Sequence, residues 1–376
     1  MRAILRALLG PVAVAAAVAV VAACSSDSSG PDLSGLPGCS AATLLTVTPM
    51  ALGDIREISP LGNLNPSGHV FPTDHIYFYA NYPGPAVTVV SPGTIRVTQA
   101  LLQKRTGVGP EFDDYGLDFY PCTGQHFYFA HLASIAPGLA TQLGALDASC
   151  NAPYMTGGYT FTQCRKSVSV DLAAGDTIGT AGGPTEGALD LGLIDGDSAA
   201  LAFVDPGRVN STTLHAGCPI DQFTADVRDS LRLRLQVNGT PRTIAPVCGT
   251  VMQDVANSAQ GRWYFDATTQ EDHHLALVHE NWDPTIGAFS IGTEVPGTGP
   301  TVFMFTPSTT NRTNRDFNLV TADGNIYCYQ LTNFSGHVFT QLVSGTQLKI
   351  EVVGSGATCG DSTTWAFTGN AVTFAR

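Results

Sequence analysis

Seven of the nine histidines fall in three short strand-like segments, where the chain concentrates side chains that could do chemistry. The histidines of these segments, in order, are His69 and His75, His126 and His131, and His273, His274 and His279. Imidazole is the commonest metal ligand in proteins, so histidines on neighbouring strands are one way to build a zinc site on a β scaffold. The alternative for any one of them is a structural histidine whose nitrogens are satisfied by hydrogen bonds.

The period of two in a β-strand decides which of these side chains can share a face. His75 and Tyr79 are predicted to lie on one face of their strand. In the third segment His273 and His279 share a face, whereas His274 points to the opposite side.

The run Glu-Asp-His-His at residues 271–274 is the least ordinary stretch of the chain. One hypothesis is that its segment folds back onto the earlier strands to build a divalent metal site. The side chains that this site would combine are Asp272, His274, His279, His75, His131 and Asp190. The competing hypothesis is a buried polar network in which imidazoles and carboxylates satisfy one another.

The amino-acid composition limits the fold class and the type of partner of this protein. The chain has 376 residues, enough for about two or three domains, and 44% of them are hydrophobic, so a large core is available. Gly (40) and Pro (23) are abundant, which favours a turn-rich fold over a helical bundle. Lys and Arg number 18 against 31 Asp and Glu, giving a net charge of −13, so no nucleic acid partner is expected.

The pattern beyond the N-terminal region predicts strand after strand. Thr73–Tyr82 and Ala86–Val90 are rich in β-branched and aromatic residues, and Pro83-Gly84-Pro85 separates them. This pattern predicts an all-β fold of mostly antiparallel sheets. A Pro/Gly-rich stretch at residues 293–300 marks a boundary, so we expect a β domain over 46–292 and a small C-terminal β module over 301–376.

The N-terminus has the pattern of an export signal. Arg2 and Arg6 precede an unbroken run of Val and Ala from Val12 to Ala23, which is too short to span a bilayer and ends at Cys24. The pattern resembles a bacterial lipobox, so we predict a signal peptide over 1–23, lipidation of Cys24 and a polar tether over 24–45. The lipid would attach the protein to a membrane of the bacterial cell envelope, at the outer membrane or on the periplasmic or extracellular face. An ordinary secretory signal with an incidental Cys is the alternative.

Eight cysteines remain after Cys24, and an even number in an exported chain predicts four disulfides. Spacing alone does not fix their pairing. Closing the shortest loops first gives Cys150–Cys164, Cys218–Cys248 and Cys328–Cys359, which leaves Cys39–Cys122. A structural zinc cluster is the competing interpretation, although the chain contains no Cys-x-x-Cys pair.

The order of several motifs resembles the LytM-type (lysostaphin-like) zinc endopeptidase domain, which cuts peptidoglycan cross-links. His75 begins a strand where that family has a His-x-x-x-Asp strand, and residues 91–97 are similar to its lipoyl-like hairpin turn. Residues 128–132 (Tyr-Phe-Ala-His-Leu) are similar to its Tyr-Ala-His-Leu strand, and residues 174–183 to its Gly-Asp-x-Ile-Gly turn. The resemblance covers roughly residues 60–200 and implies a LytM-type, lipoyl-like core.

The departures from the family pattern concern the metal. The resemblance implies a zinc held by the first His, by an Asp four residues later and by the second His of a final His-x-His strand. Here His75 is kept, but Tyr79 replaces the carboxylate. The two positions of the final strand are taken by Asp190 and Gly192 or, in the other register, by Leu189 and Leu191. Zinc needs three protein ligands, and without it no water nucleophile forms at neutral pH.

The first functional hypothesis is therefore a cell-envelope lipoprotein with a degenerate, non-catalytic LytM-type domain and no cofactor. It would bind an envelope glycan or peptide such as peptidoglycan, or a partner hydrolase that it controls. The residues expected to bind are Tyr79, Asp190 and Asp272.

The second hypothesis is a metal-dependent hydrolase with a rebuilt zinc site. His75, His274 and His279 would be the metal ligands, and His131 would match a catalytic histidine of the family. A purely structural surface protein is a third alternative. The adjacent carboxylates Asp113 and Asp114 could also serve glycoside chemistry, but the sequence does not give their separation from other acids.

Overall fold

The computed structural model describes residues 30–39, 44–81, 84–107, 112–156, 159–183, 188–237, 239–268, 270–354 and 356–376. The predicted signal peptide, the predicted lipidation site Cys24 and part of the predicted tether (residues 24–29 and 40–43) lie outside these residues. Residues 33–376 form one unit by their internal contacts.

Twenty β-strands provide most of the regular structure in the described residues. The first ten are β1 (Ile55–Ser59), β2 (His75–Ala80), β3 (Val87–Val90), β4 (Ile95–Gly107), β5 (Phe112–Cys122), β6 (Gln125–Ile135), β7 (Tyr154–Thr156), β8 (Tyr159–Leu172), β9 (Thr177–Ala181) and β10 (Ala188–Asp195). The others are β11 (Gln236–Val237), β12 (Thr240–Pro241), β13 (Gly261–Trp263), β14 (Leu275–His279), β15 (Gly287–Ile291), β16 (Thr301–Phe305), β17 (Tyr327–Gln330), β18 (His337–Ser344), β19 (Gln347–Val353) and β20 (Val372–Ala375).

Helices are few and short in the same residues. The α-helices are α1 (Pro137–Leu143), α2 (Ser211–Leu214) and α3 (Ala225–Arg232). Short 3-10 turns lie at Pro206–Arg208, Pro219–Gln222, Glu271–His273 and Phe317–Leu319. Every pair of the named strands is antiparallel, so the prediction of an all-β, mostly antiparallel fold is confirmed.

Ten strands form one large sheet, in the order β1-β2-β10-β6-β5-β4-β8-β7, and β9 connects β6 to β3. β10 therefore lies between β2 and β6. Residues along these three strands alternate between apolar and polar, as a sheet with one face on the core requires. The apolar face of these strands packs in one core with Ile76, Phe78, Phe127, Phe129, Leu189 and Leu191. We call the opposite face, with His75, Tyr77, Tyr128 and Asp190, the polar face.

Two four-stranded sheets, β13–β16 and β17–β20, share a second core. This core begins in sequence at Ala259 and ends at Phe374, and buried rings such as Phe289 and Tyr329 pack edge to face inside it. β15 pairs with β16 across the Pro/Gly-rich stretch, with Ile291 opposite Thr301. The second core thus begins before the boundary that the sequence placed at residue 301, and sheet pairing crosses that boundary.

The structure joins the same four cysteine pairs that loop closure predicted. Their Cα–Cα distances are 5.2 Å for Cys39–Cys122, 3.9 Å for Cys150–Cys164, 6.0 Å for Cys218–Cys248 and 5.8 Å for Cys328–Cys359. Four disulfides indicate an oxidising, extracytoplasmic location. In the part of the chain that the structure describes, no helix has the length and apolar character needed to cross a bilayer.

Candidate functional site

His75 is the first residue of β2, and its side chain is 9% exposed on the polar face of the large sheet. Its neighbour Asp74 places Oδ1 3.1 Å from His75 Nδ1. The Tyr128 hydroxyl donates to the same oxygen of Asp74 at 3.0 Å, and Thr213 Oγ1 donates to Asp74 Oδ2 at 2.5 Å. Three side chains therefore hold the Asp74 carboxylate in place, and this carboxylate in turn sets the orientation of the His75 ring.

Asp190 lies on β10, opposite Tyr77 of β2 and Ala130 of β6. Its side chain is 4% exposed. Asp190 Oδ2 lies 3.3 Å from His75 Nε2 and 3.4 Å from His131 Nε2. One carboxylate oxygen therefore contacts two imidazoles that belong to different strands.

An irregularity in β6 turns His131 toward Asp190. The register of β6 against β5 shifts beside this residue, and His131 has a φ angle of 64°, in the left-handed region. In a regular strand His131 would share the face of Phe129, which points into the core, so the bulge re-aims its ring. His131 Nδ1 lies 2.8 Å from Asp114 Oδ2, and the ring is 35% exposed, which makes it the accessible part of the site.

Each of the two imidazoles thus has a carboxylate near both ring nitrogens. Asp74 and Asp190 flank His75, and Asp114 and Asp190 flank His131. The two carboxylates beside His75 favour its imidazolium form, which donates from both nitrogens and keeps no lone pair for a metal. Burial lowers the pKa of His75, but Asp190 and Asp74 outweigh burial, so this pKa lies above its ordinary value.

Burial, hydrogen bonds and nearby charges also shift the pKa values of Asp74, Tyr128 and Asp190. Burial raises the pKa of Asp74, but the hydrogen bonds from His75, Thr213 and Tyr128 outweigh it, so the net pKa is lowered and Asp74 stays ionised. Burial and the charge of Asp74 hold the pKa of Tyr128 well above its ordinary value, so this hydroxyl remains a donor. Burial raises the pKa of Asp190, although His131 and His75 oppose the rise.

The donor atoms do not fit a zinc ion as they stand. Within the described ranges, no group of three or more His, Cys, Asp or Glu side chains could hold a metal ion. His75 Nε2 and Asp190 Oδ1 are buried without a hydrogen-bond partner among the described residues, so the contact between these two side chains is an ion pair without hydrogen-bond alignment.

The structure does not bring the histidines of the third segment to this site. That segment forms a 3-10 turn at Glu271–His273 and then β14, which belongs to the first four-stranded sheet and not to the large one. His274 Nδ1 accepts from the backbone N–H of Phe265 at 3.4 Å, and its Nε2 lies 3.2 Å from the carbonyl of Thr268. His274 therefore has its own polar partners inside the C-terminal half.

The other two predicted residues of that segment are also engaged elsewhere. His279 Nε2 lies 3.1 Å from Asp316 Oδ1, and the His279 backbone N–H donates to Gln253. The backbone carbonyl of Asp272 accepts from Thr293 at 2.6 Å. The hypothesis of a metal site that combines these residues with His75 and His131 finds no contact among the described residues to support it.

Tyr79 and His69 border the site without joining its ion pairs. The Tyr79 ring stacks on Tyr77 with centroids 6.0 Å apart, and Arg56 lies 5.5 Å from its centroid. The His69 ring lies 5.4 Å from that of His75. Burial and the charge of His75 lower the pKa of His69 to about 4, so His69 is neutral at neutral pH.

Four residues that build the site were not assigned to it from the sequence: Asp74, Asp114, Tyr128 and Thr213. Asp74 could have been found from its position directly before His75. Asp114 stood out only as one of two adjacent acids. Thr213 comes from α2, far along the chain, and no sequence signal links it to Asp74.

No protein-family model matches this chain, and neither the curated proteins nor the solved structures include a match.

Proposed function

We propose that this protein is a lipid-anchored component of the bacterial cell envelope that binds peptidoglycan without cutting it. The motif at Cys24 supports the lipid anchor, and the four disulfides support export. The order of the strand motifs around His75 and His131 supports descent from a LytM-type endopeptidase that has lost its zinc ligands.

One observation carries the non-catalytic assignment: a single oxygen of Asp190 contacts both His75 and His131. The His75 imidazole, whose pKa is raised between two carboxylates, is a poor metal ligand and a poor general base. A bound zinc would supply an activated water, but Nε2 of each imidazole already contacts the Asp190 carboxylate. Binding is therefore the function that the site supports best.

The chemistry of the polar face suggests what it binds. Three carboxylates, those of Asp74, Asp114 and Asp190, surround two imidazoles, so the site carries an excess of negative charge and favours amines and hydroxyls over anions. The partly exposed ring of Tyr79, which stacks on the buried Tyr77, lies beside it and offers a flat surface for a sugar. Peptidoglycan combines sugars with amine-bearing peptides and satisfies both requirements.

The test is co-sedimentation of the exported chain with purified peptidoglycan sacculi. We expect saturable binding that falls at least tenfold in Asp190→Asn and in Tyr79→Ala. His279→Gln, which changes a histidine outside the site, serves as the matched control and should bind as the wild type does. Absence of binding to sacculi, with capture of an envelope hydrolase instead, would overturn the choice of ligand.

A metal-dependent hydrolase is the second candidate function. The atoms that favour it are His75 Nε2 and Asp190 Oδ1, both buried and without a hydrogen-bond partner among the described residues. Elemental analysis of the purified chain separates the two candidates. Stoichiometric zinc that is lost in His75→Gln, together with chelator-sensitive cleavage of sacculi, would establish the hydrolase and refute the binding protein.

A further inference from the structure

A separate cavity of about 410 Å³ lies between the first four-stranded sheet and the segment that precedes α2. Its principal lining side chains are Phe71, Arg208, Arg262, Tyr264, Glu271 and His274. None of them belongs to the site around His75 and Asp190. The cavity is therefore a second candidate site, distinct from the first.

Arg262 is the most buried cation of this cavity, at 6% exposure. Its guanidinium lies between two rings, 4.7 Å from the centroid of Phe71 and 4.6 Å from that of Phe203. Nη2 donates to the carbonyl of Pro72 at 3.4 Å, and Nε is buried without a hydrogen-bond partner among the described residues. The aromatic rings hold the guanidinium in place but do not neutralise it.

Arg208 brings a second guanidinium to the same cavity. Its Cζ lies 3.9 Å from the centroid of the Tyr264 ring. Its Nη2 donates to the backbone carbonyls of Asp266 and Thr268. These contacts orient the group through neutral partners and leave its charge uncompensated.

Among the described residues, neither arginine forms an ion pair. In the described residues the arginine ion pairs within 4.0 Å are those of Arg56, Arg96, Arg228 and Arg232. The carboxylate of Asp254 accepts backbone N–H groups, including that of Arg262. A buried guanidinium without a counter-ion is costly, so an anion that enters the cavity recovers this cost.

Glu271 is the acid that lines the cavity, and it is a weak competitor for the two cations. Its Oε2 accepts from the backbone N–H of Phe71 at 3.3 Å. Burial raises the pKa of Glu271 to about 7, so a large share of this carboxyl is neutral at neutral pH. With two guanidiniums and a partly neutral acid, the cavity carries between one and two net positive charges.

We propose that this cavity is a binding site for a small organic carboxylate, in which Arg262 and Arg208 contact the carboxylate. The planar forks of the guanidiniums match a carboxylate, and the Glu271 carboxyl in the same cavity repels a phosphate dianion more strongly than a monoanion. The rings of Phe71 and Tyr264 contact the flat or apolar body of the ligand. The site goes beyond the proposed binding of peptidoglycan and does not depend on it.

Isothermal titration of the exported chain with benzoate and with benzamide tests this assignment. The two probes have the same shape, and only benzoate has the charge. We expect benzoate to bind at least tenfold more tightly than benzamide. Arg208→Gln should weaken benzoate at least tenfold, and Arg262→Gln should do the same, whereas Arg232→Gln, an exposed arginine paired with Asp221, should leave the affinity unchanged.

Equal binding of the two probes, tighter binding of inorganic phosphate than of benzoate, or unchanged affinity in Arg208→Gln would overturn the proposal. Should the buried Arg262→Gln variant fail to fold, the half-buried Arg208 decides the question alone. Asp190→Asn is expected to keep full benzoate affinity. A failure of peptidoglycan binding and a failure of this site are therefore distinguishable in the same set of variants.

Discussion

Asp190 places one carboxylate oxygen 3.3 Å from Nε2 of His75, on the neighbouring strand of the large sheet. The contact exists because β10 inserts between β2 and β6, so that a late strand completes a site begun by two early ones. The same oxygen reaches His131 across the sheet. A carboxylate at this central position ties the two histidines into one charged network.

Replacing Asp190 with Asn should lower the pKa of His75. The Asp190 carboxylate raises this pKa, so its loss leaves burial less opposed. Titration of the His75 ring signals by NMR measures the change. Asp118→Asn is the control, since Asp118 lies 3.5 Å from His126 and not beside His75. A His75 pKa that stays constant or rises in Asp190→Asn contradicts the pairing.

Gly192→Ala should disrupt the polar face. A Cβ at Gly192 would lie 2.1 Å from a ring carbon of Tyr128, so this ring must move and its hydrogen bond to Asp74 must break. We expect a loss of about 1–3 kcal/mol in the free energy of unfolding, measured by urea denaturation. Gly138→Ala in α1 is the matched control, because a Cβ there meets nothing within 4 Å. Its stability should stay the same or rise by up to about 1 kcal/mol.

Glu271 should make stability depend on pH. Its pKa is about 7 in the folded chain against an ordinary value of 4.5, so the folded state holds the proton more tightly. The contribution of this proton is complete below pH 4.5 and is lost as the pH rises to 7, by at most about 3 kcal/mol.

Urea denaturation at several pH values, with wild type and Glu271→Gln compared, isolates this contribution from those of the nearby charges of Arg262, Asp74 and His75. The difference between the two proteins should change across this interval and be constant below it. A difference that does not vary with pH would show that Glu271 titrates normally.

The disulfides should differ in their stabilising effect according to the loop that each one closes. Paired Cys→Ser replacement of Cys39–Cys122, which spans 83 residues, is expected to cost about 4–5 kcal/mol. The same replacement of Cys150–Cys164, which spans 14, should cost about 3 kcal/mol. Denaturation under non-reducing conditions measures both, and the reverse order would contradict an effect set by loop length.

Local sequence patterns predicted the β class, closing the shortest loops first suggested the four cysteine pairs, and the order of motifs singled out His75, His131 and Asp190. Alternation of apolar and polar residues is a local signal, and short loops close locally. The partners of those residues could not be predicted, because Asp114 and Thr213 reach them only through strand order and the position of α2. The bulge at His131 depends on how β6 pairs with β5, and the local sequence does not indicate it.

The cavity of Arg208 and Arg262 was missed for a similar reason. The two arginines are separated in sequence by more than fifty residues, and each is ordinary in its own segment. Only the packing of Phe71 and Tyr264 against β14 brings them to one cavity. The two guanidinium charges meet in one cavity because of packing between distant segments, which the residue types alone do not reveal.

The pairing of β15 with β16 has a consequence for how this polypeptide can be divided. A gene fragment that stops at residue 300 would delete an outer strand of the first four-stranded sheet and the whole of the second, leaving rings such as Phe289 open to water. The bare hydrogen-bonding groups of β15 would then recruit other chains and favour precipitation. A chimeric protein that keeps this core intact must therefore include residues 259–376 as one segment.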